Sequence, residues 1–298
     1  MEKNAALDSF KVFGSMASTW GKPYSRDGYK ERYPTIKIRQ DIVLSILKKI
    51  RPKKILDIGC GSAEPLIEML NLGFAAEGFD YSQEMLEKAR ENLKKAGYPE
   101  DLVYKNNMEK PKGIDRGEFD CLVANGAVFY ARDFDKTMKN LTALLPKGGH
   151  FIFSLQNELF SLFSMNKYSV ELFLDKLMPT EAFSEETRQK VSDFIQGRFR
   201  EESVERKFKT IRDFNIHNLR HNPLRVDQEI LAPNNLTLEG MYFFHYHSMP
   251  PIFEHTIPEE FRKTSATIEN PTDWRGLFMA SCFNVHARKS GEGKQVRR

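Results

Sequence analysis

Apolar residues recur along this chain with two periods. Short apolar runs at Ile55–Ile58, Ala75–Phe79, Leu102–Lys105, Phe119–Ala124 and His150–Leu155 are bounded by glycine, proline or acidic residues and read as buried strands. Between them the spacing changes to that of helices. Ile36, Val43, Ile46, Leu47 and Ile50, with Ile42 beside them, fall on one face of a helix that Pro52 stops. Met85, Leu86, Ala89 and Leu93 form one face behind Ser82, a residue suited to cap a helix start, and a further helix is predicted from Asp133 to Leu145. Strands alternating with helices predict an α/β fold on a mostly parallel sheet. Two later runs, Thr237–Ser248 and Leu277–Ala287, read as strands that finish the sheet as an antiparallel edge.

The stretch from 157 to 221 is too long for an ordinary connection. Its segments L-F-S-L-F-S, Y-S-V-E-L-F-L-D-K-L and V-S-D-F-I carry helical spacing, which predicts a helical insertion covering the pocket as a lid, and Arg198–Arg212 reads as a charged, solvated helix. N-P-L-R-V-D-Q-E-I-L predicts a short last helix. Residues 10–34 are dense in aromatic side chains and read as an ordered arm. The expected organisation is one domain over 1–298: an arm and helix to 50, a core over 51–156, the insertion over 157–221, the rest of the sheet over 222–290, and a disordered tail over 291–298.

Composition narrows the class only slightly. With 298 residues, the chain can bury a large α/β core without disulfides or metals. Its 45 basic and 41 acidic residues nearly balance, so charge gives no reason to expect a nucleic-acid partner. Cys60, Cys121 and Cys282 lie in apolar or turn contexts without a C-x-x-C pair and read as reduced core residues. No run approaches the roughly 20 apolar residues of a membrane span, and a cytoplasmic location is expected. No metal site is expected, and the oligomeric state is left open.

The chemistry concentrates in K-K-I-L-D-I-G-C-G-S-A-E-P, where a strand runs into a turn at Gly59 and Gly61 and a helix opens. Such a turn lets a ligand approach the backbone and the helix start. A dinucleotide site needs a third glycine where this chain has Glu64. Asp57, at the strand tip, suits an ammonium group and would repel pyrophosphate. Asp80, ending the second strand, is placed to accept from ribose hydroxyls.

These residues, L-D-I-G-C-G-S-A and G-F-D-Y-S-Q-E-M-L-E-K-A, resemble the first two motifs of the class I S-adenosylmethionine-dependent methyltransferases, and L-L-P-K-G-G-H-F-I-F-S extends the resemblance to residue 155. The resemblance implies a Rossmann-like seven-stranded sheet with an antiparallel last strand, and S-adenosylmethionine (SAM) as cofactor with S-adenosylhomocysteine as product. It implies a cofactor site lined by Asp57, Gly59, Cys60, Gly61, Asp80, Tyr81, Asn107, Met108, Asn125 and Gly126. Tyr33 and Arg39 would reach it from the arm and first helix. Ala63 departs from the glycine common in relatives and predicts a tighter turn. Asn107 departs from the usual acid, offering the adenine amine an amide oxygen instead.

The acceptor side is less determined. N-G-A-V-F-Y follows the fourth strand in place of the N-P-P-Y expected of enzymes that methylate planar nitrogens. F-F-H-Y-H near the end of the sixth strand places His245 and His247 on one face and Tyr246 on the other. A histidine there suits general-base chemistry, with Tyr130 orienting the acceptor. The resulting expectation is methyl transfer to a small polar acceptor, a sugar or similar hydroxyl. Transfer to a small amine, and SAM binding without transfer, are the alternatives.

Overall fold

The computed structural model describes residues 35–178, 180–198 and 219–291. Calls on Tyr33, the rest of the arm, the tail and most of Arg198–Arg212 lie outside them. Helix α1 (Thr35–Ile50) packs its buried face, Ile42, Val43, Ile46 and Leu47, against the sheet. Strand β1 (Ile55–Ile58) is buried throughout, as a central strand covered on both faces must be. It is followed by α2 (Glu64–Asn71), β2 (Ala76–Asp80), α3 (Gln83–Lys95), β3 (Val103–Lys105), β4 (Cys121–Ala124), α4 (Phe134–Leu144) and β5 (His150–Asn157). Ser82 caps α3 by accepting from the Met85 amide, and Asp133 caps α4 through the Lys136 amide.

After β5 the chain forms α5 (Phe160–Ser164), α6 (Lys167–Leu172), a wide turn Phe173–Leu177 and α7 (Glu185–Arg198). In α7 only Ile195 is buried and Phe194 is exposed, so this helix is largely solvated. The chain returns through β6 (Arg220–His221) and short turns to β7 (Leu236–Tyr246), α8 (Phe253–Thr256), α9 (Pro258–Thr267), α10 (Gly276–Met279) and β8 (Ala280–Lys289). Leu277–Met279, expected as strand, is helical, because the chain must first turn up from the Asp273 loop before it can enter the sheet.

The strand order is β3-β2-β1-β4-β5-β8-β7, with β6 also paired to β5. The expected seven strands are therefore present with a two-residue eighth. β8 runs antiparallel to both β5 and β7, and β7 forms the edge. β6 pairs with Gln156 and Asn157 in parallel, while β8 occupies the other side of β5 as far as Gln156. It therefore continues the line of β4 beyond that strand's end. One core layer, with Phe151, Phe153, Phe283 and Val285, faces α4. The other, with Ile55, Val123, Ile152 and Phe244, faces α1, α2 and α3.

Candidate cofactor and acceptor site

The tips of β1, β2 and β4 meet at one edge, the usual ligand crevice of an open α/β sheet. Gly59 has φ 70°, and a methyl group on it would lie 2.8 Å from the Ala127 side chain, so the turn has no room for one. Ala63 does more than tighten the turn: it takes φ 67° just before α2, a conformation unfavourable for an L-residue.

Asp57 is buried, and its Oδ2 has no hydrogen-bond partner among the described residues. Burial, reinforced by the neighbouring charge of Asp80 and opposed by Arg39, pushes its carboxyl up to about 7. Asp80 accepts from the Gly61 and Ser82 amides, each at 2.9 Å. Burial raises it, and those amides with that of Tyr81 pull it back. It thus ties the glycine turn to the head of α3. Cys60 stays a thiol, because burial and then the charges of Asp80 and Asp57 push it well up. Tyr81 is exposed at the rim.

Gly126, at φ 92°, lies directly under the Arg39 guanidinium, where a side chain would collide with it. Its amide donates to Ser154 Oγ at 2.6 Å, and Asn125 Nδ2 donates to Gln40 Oε1 at 3.0 Å. α1 is thereby fastened to the β4 tip. Arg39 Nε and Asn125 Oδ1 are buried without partners among the described residues. Two acceptors, Asp57 Oδ2 and Asn125 Oδ1, and one cationic donor, Arg39, therefore await polar partners around one turn. The ammonium and carboxylate of an amino-acid moiety satisfy both kinds, so these residues fit SAM. Asn107 uses its Oδ1 to accept from the Glu109 amide at 2.8 Å, and Met108 packs on the core beside it.

Residues 51–187 match the model of a methyltransferase domain. The sequence is 28% identical over 157 residues to the ubiquinone biosynthesis O-methyltransferase of Vibrio vulnificus, covering 52% of this chain and 65% of that one. It is 29% identical over 146 residues to an uncharacterised Haemophilus influenzae protein, covering 45% and 58%. Each match thus spans less than two thirds of the relative. Among solved structures, the magnesium protoporphyrin IX methyltransferase of Synechocystis, with bound S-adenosylhomocysteine, overlays with a TM-score of 0.54 at 12% identity, over 95% of this chain and 100% of that one. Residues 51–187 are a methyltransferase domain. Its fold is that implied by the motifs around Asp57 and Asp80.

Burial holds the Tyr130 phenol well above its usual range, against the opposing charge of Arg39. It therefore remains a hydrogen-bond donor. The histidines meet, with ring centroids 4.6 Å apart, though simple strand alternation is not the reason. His245 has φ 61°, and its amide and that of Tyr246 both donate to the Glu269 carboxylate, at 2.9 and 3.1 Å. Successive amides converging on one anion form a concave nest, which here is filled internally. Tyr246 turns to the other side and donates its hydroxyl to the Asn270 carbonyl.

His245 Nδ1 lies 2.7 Å from Ser281 Oγ, and His247 Nδ1 lies 3.0 Å from the His245 carbonyl. Because a carbonyl only accepts, neutral His247 carries its proton on Nδ1. His247 is wholly buried between Phe160 and Phe261, whereas His245 is partly exposed. Ser154, Gln40, Ser281 and Glu269 were not foreseen. Single polar residues separated by tens of positions from their partners leave no local pattern.

Proposed function

We propose that the chain transfers a methyl group from SAM to the hydroxyl of a small polar acceptor, a sugar or related metabolite, with a histidine of the β7 pair as general base. SAM supplies an electrophilic methyl group. The protein's part is to orient the reactants, exclude water and move a proton. Asp57 and Arg39 hold the amino-acid end, Gly59 and Gly61 allow close approach, and Asp80 takes the ribose. Asn107, Met108 and Tyr81 border the base.

The observation that carries the reading is the His245–Ser281 hydrogen bond at the β7–β8 end, where Ser281 Oγ also approaches Cys282 Sγ. An attacking hydroxyl must lose a proton, and an imidazole titrating near neutrality is suited to take it. His245, partly exposed, is the better placed base, and His247 backs it. Tyr130, protonated, donates to the acceptor and orients it. The Vibrio vulnificus relative is named for O-methyl transfer, which agrees with oxygen as the acceptor atom. The described ends of the insertion meet this side: Phe160 at its start packs on His247, and Leu219 near its end donates its amide to the Phe129 carbonyl.

The test is a pair of alanine variants, His245→Ala and His247→Ala, assayed for label passing from methyl-labelled SAM into a small-molecule extract at saturating SAM. At least one should lower the turnover rate by about a hundredfold, as loss of a general base does. If neither lowers it even tenfold, the base assignment is wrong and a small amine becomes the better acceptor.

A further inference from the structure

We infer that the acceptor carries a carboxylate and that Arg220 binds it, an inference resting on the methyl-transfer reading above. Arg220 is the first residue of β6, the two-residue strand that prolongs the line of β4. Paired residues of neighbouring strands share a face, and Arg220 pairs with Gln156, which pairs on its other side with Cys282. Gln156 alternates with Ile152 and Ser154 on the face covered by α1. His221, the next residue, points the opposite way and stacks on Phe134 of α4 at 4.3 Å. Arg220, Gln156 and Cys282 therefore stand abreast on the α1 face, just beyond the Ser154 that holds Gly126. Leu219, just before Arg220, donates its amide to the carbonyl of Phe129, the neighbour of Tyr130.

The guanidinium carbon lies over the Tyr168 ring, 3.3 Å from its centroid, and Lys167 Nζ stands over the same ring at 5.0 Å. The aromatic face fixes the plane of the guanidinium and leaves its N–H edge available. Among the described residues no carboxylate lies within ion-pair distance of Arg220. The nearby Glu158 is instead bound to Lys176. β6 is itself held from two sides, by the Leu219 amide on Phe129 and by the Glu158 amide on the His221 carbonyl. A half-buried, pre-oriented guanidinium without an anion among the described residues is suited to a bidentate oxyanion. The planar two-oxygen edge of a carboxylate matches the guanidinium fork, and the phosphatase arm of the experiment separates it from a phosphate. Arg39, beside Asp57, serves the cofactor end, so the two arginines divide the cleft.

The experiment uses the full chain, methyl-labelled SAM and a cell extract of small molecules split beforehand on an anion exchanger into retained and unretained pools. Wild-type protein should label the retained pool, with or without prior phosphatase treatment, and leave the unretained pool unlabelled. Arg220→Gln, which keeps the stem on Tyr168, should cut that labelling by about tenfold or more, and Arg220→Lys should recover part of it. Calorimetric SAM affinity and thermal melting should stay at wild-type values in both variants. Label in the unretained pool, or wild-type labelling by Arg220→Gln, would overturn the inference. Loss of labelling after phosphatase would overturn the carboxylate in favour of a phosphate. If neither pool is labelled by wild-type protein that still binds SAM, the methyl-transfer reading fails first and this one with it.

Discussion

Asp57 sets binding against folding within one residue. Its buried carboxyl titrates near 7, so a folded protein without cofactor holds a proton there that the unfolded chain releases near the ordinary carboxylate value. Between those values the folded state binds more protons, and stability falls as pH rises. An ammonium group beside Asp57 favours the ionised form and pulls the value down. SAM affinity should therefore rise with pH up to about 7, be level above it, and release a proton on binding below it. Calorimetry in buffers of different ionisation enthalpy measures this release directly. Asp57→Asn should remove the pH dependence, weaken SAM binding, and raise the melting temperature of the cofactor-free protein at pH 8.

At the scale of the element, the kink in β7 is the feature with most consequence. A left-handed histidine inside a strand costs roughly 1–2 kcal/mol, and it persists because Glu269 satisfies two consecutive amides. Glu269→Ala leaves both without that acceptor and should destabilise the protein by about 2–4 kcal/mol, read from urea unfolding, while also lowering transfer. Glu269→Gln, which keeps one acceptor oxygen, should restore part of both. The insertion belongs to this scale too. If it closes over the acceptor, hydrogen exchange in α5 and α6 should slow on adding SAM with the labelled pool. Equal protection in both states would make it a static cap.

For the molecule as a whole, three histidines set the acid limit. Burial lowers His150, and lowers His221 and His286 to about 4 each. His150 Nδ1 lies 2.9 Å from His286 Nε2, a contact that needs one proton and resists a second charge. Unfolding lets each take a proton near 6.5, so stability is lost as pH falls from about 6.5 toward 4, with His221 and His286 each contributing on the order of 2 kcal/mol. Asp57 changes in the opposite sense over the same range and offsets part of this. His286→Asn should flatten the acid side of a melting-temperature profile.

The parallel half of this molecule was legible because its information is local: apolar runs of strand length, the Ser82 and Asp133 caps, and the two acids placed by the strand ends. The β7–β8 half was legible only in outline. The fold of Leu277–Met279 depends on the loop before it, and the His245 kink depends on an acid 24 residues away in sequence. Arg220 reads as an ordinary polar residue until β6 is seen to pair with β5. The cofactor end, where the tips of β1, β2 and β4 converge, gives the most direct test. Calorimetry of SAM and S-adenosylhomocysteine binding should show a single site in the wild-type protein. Asp80→Ala should weaken both by about 1.5–3 kcal/mol, and affinity unchanged in that variant would contradict the account.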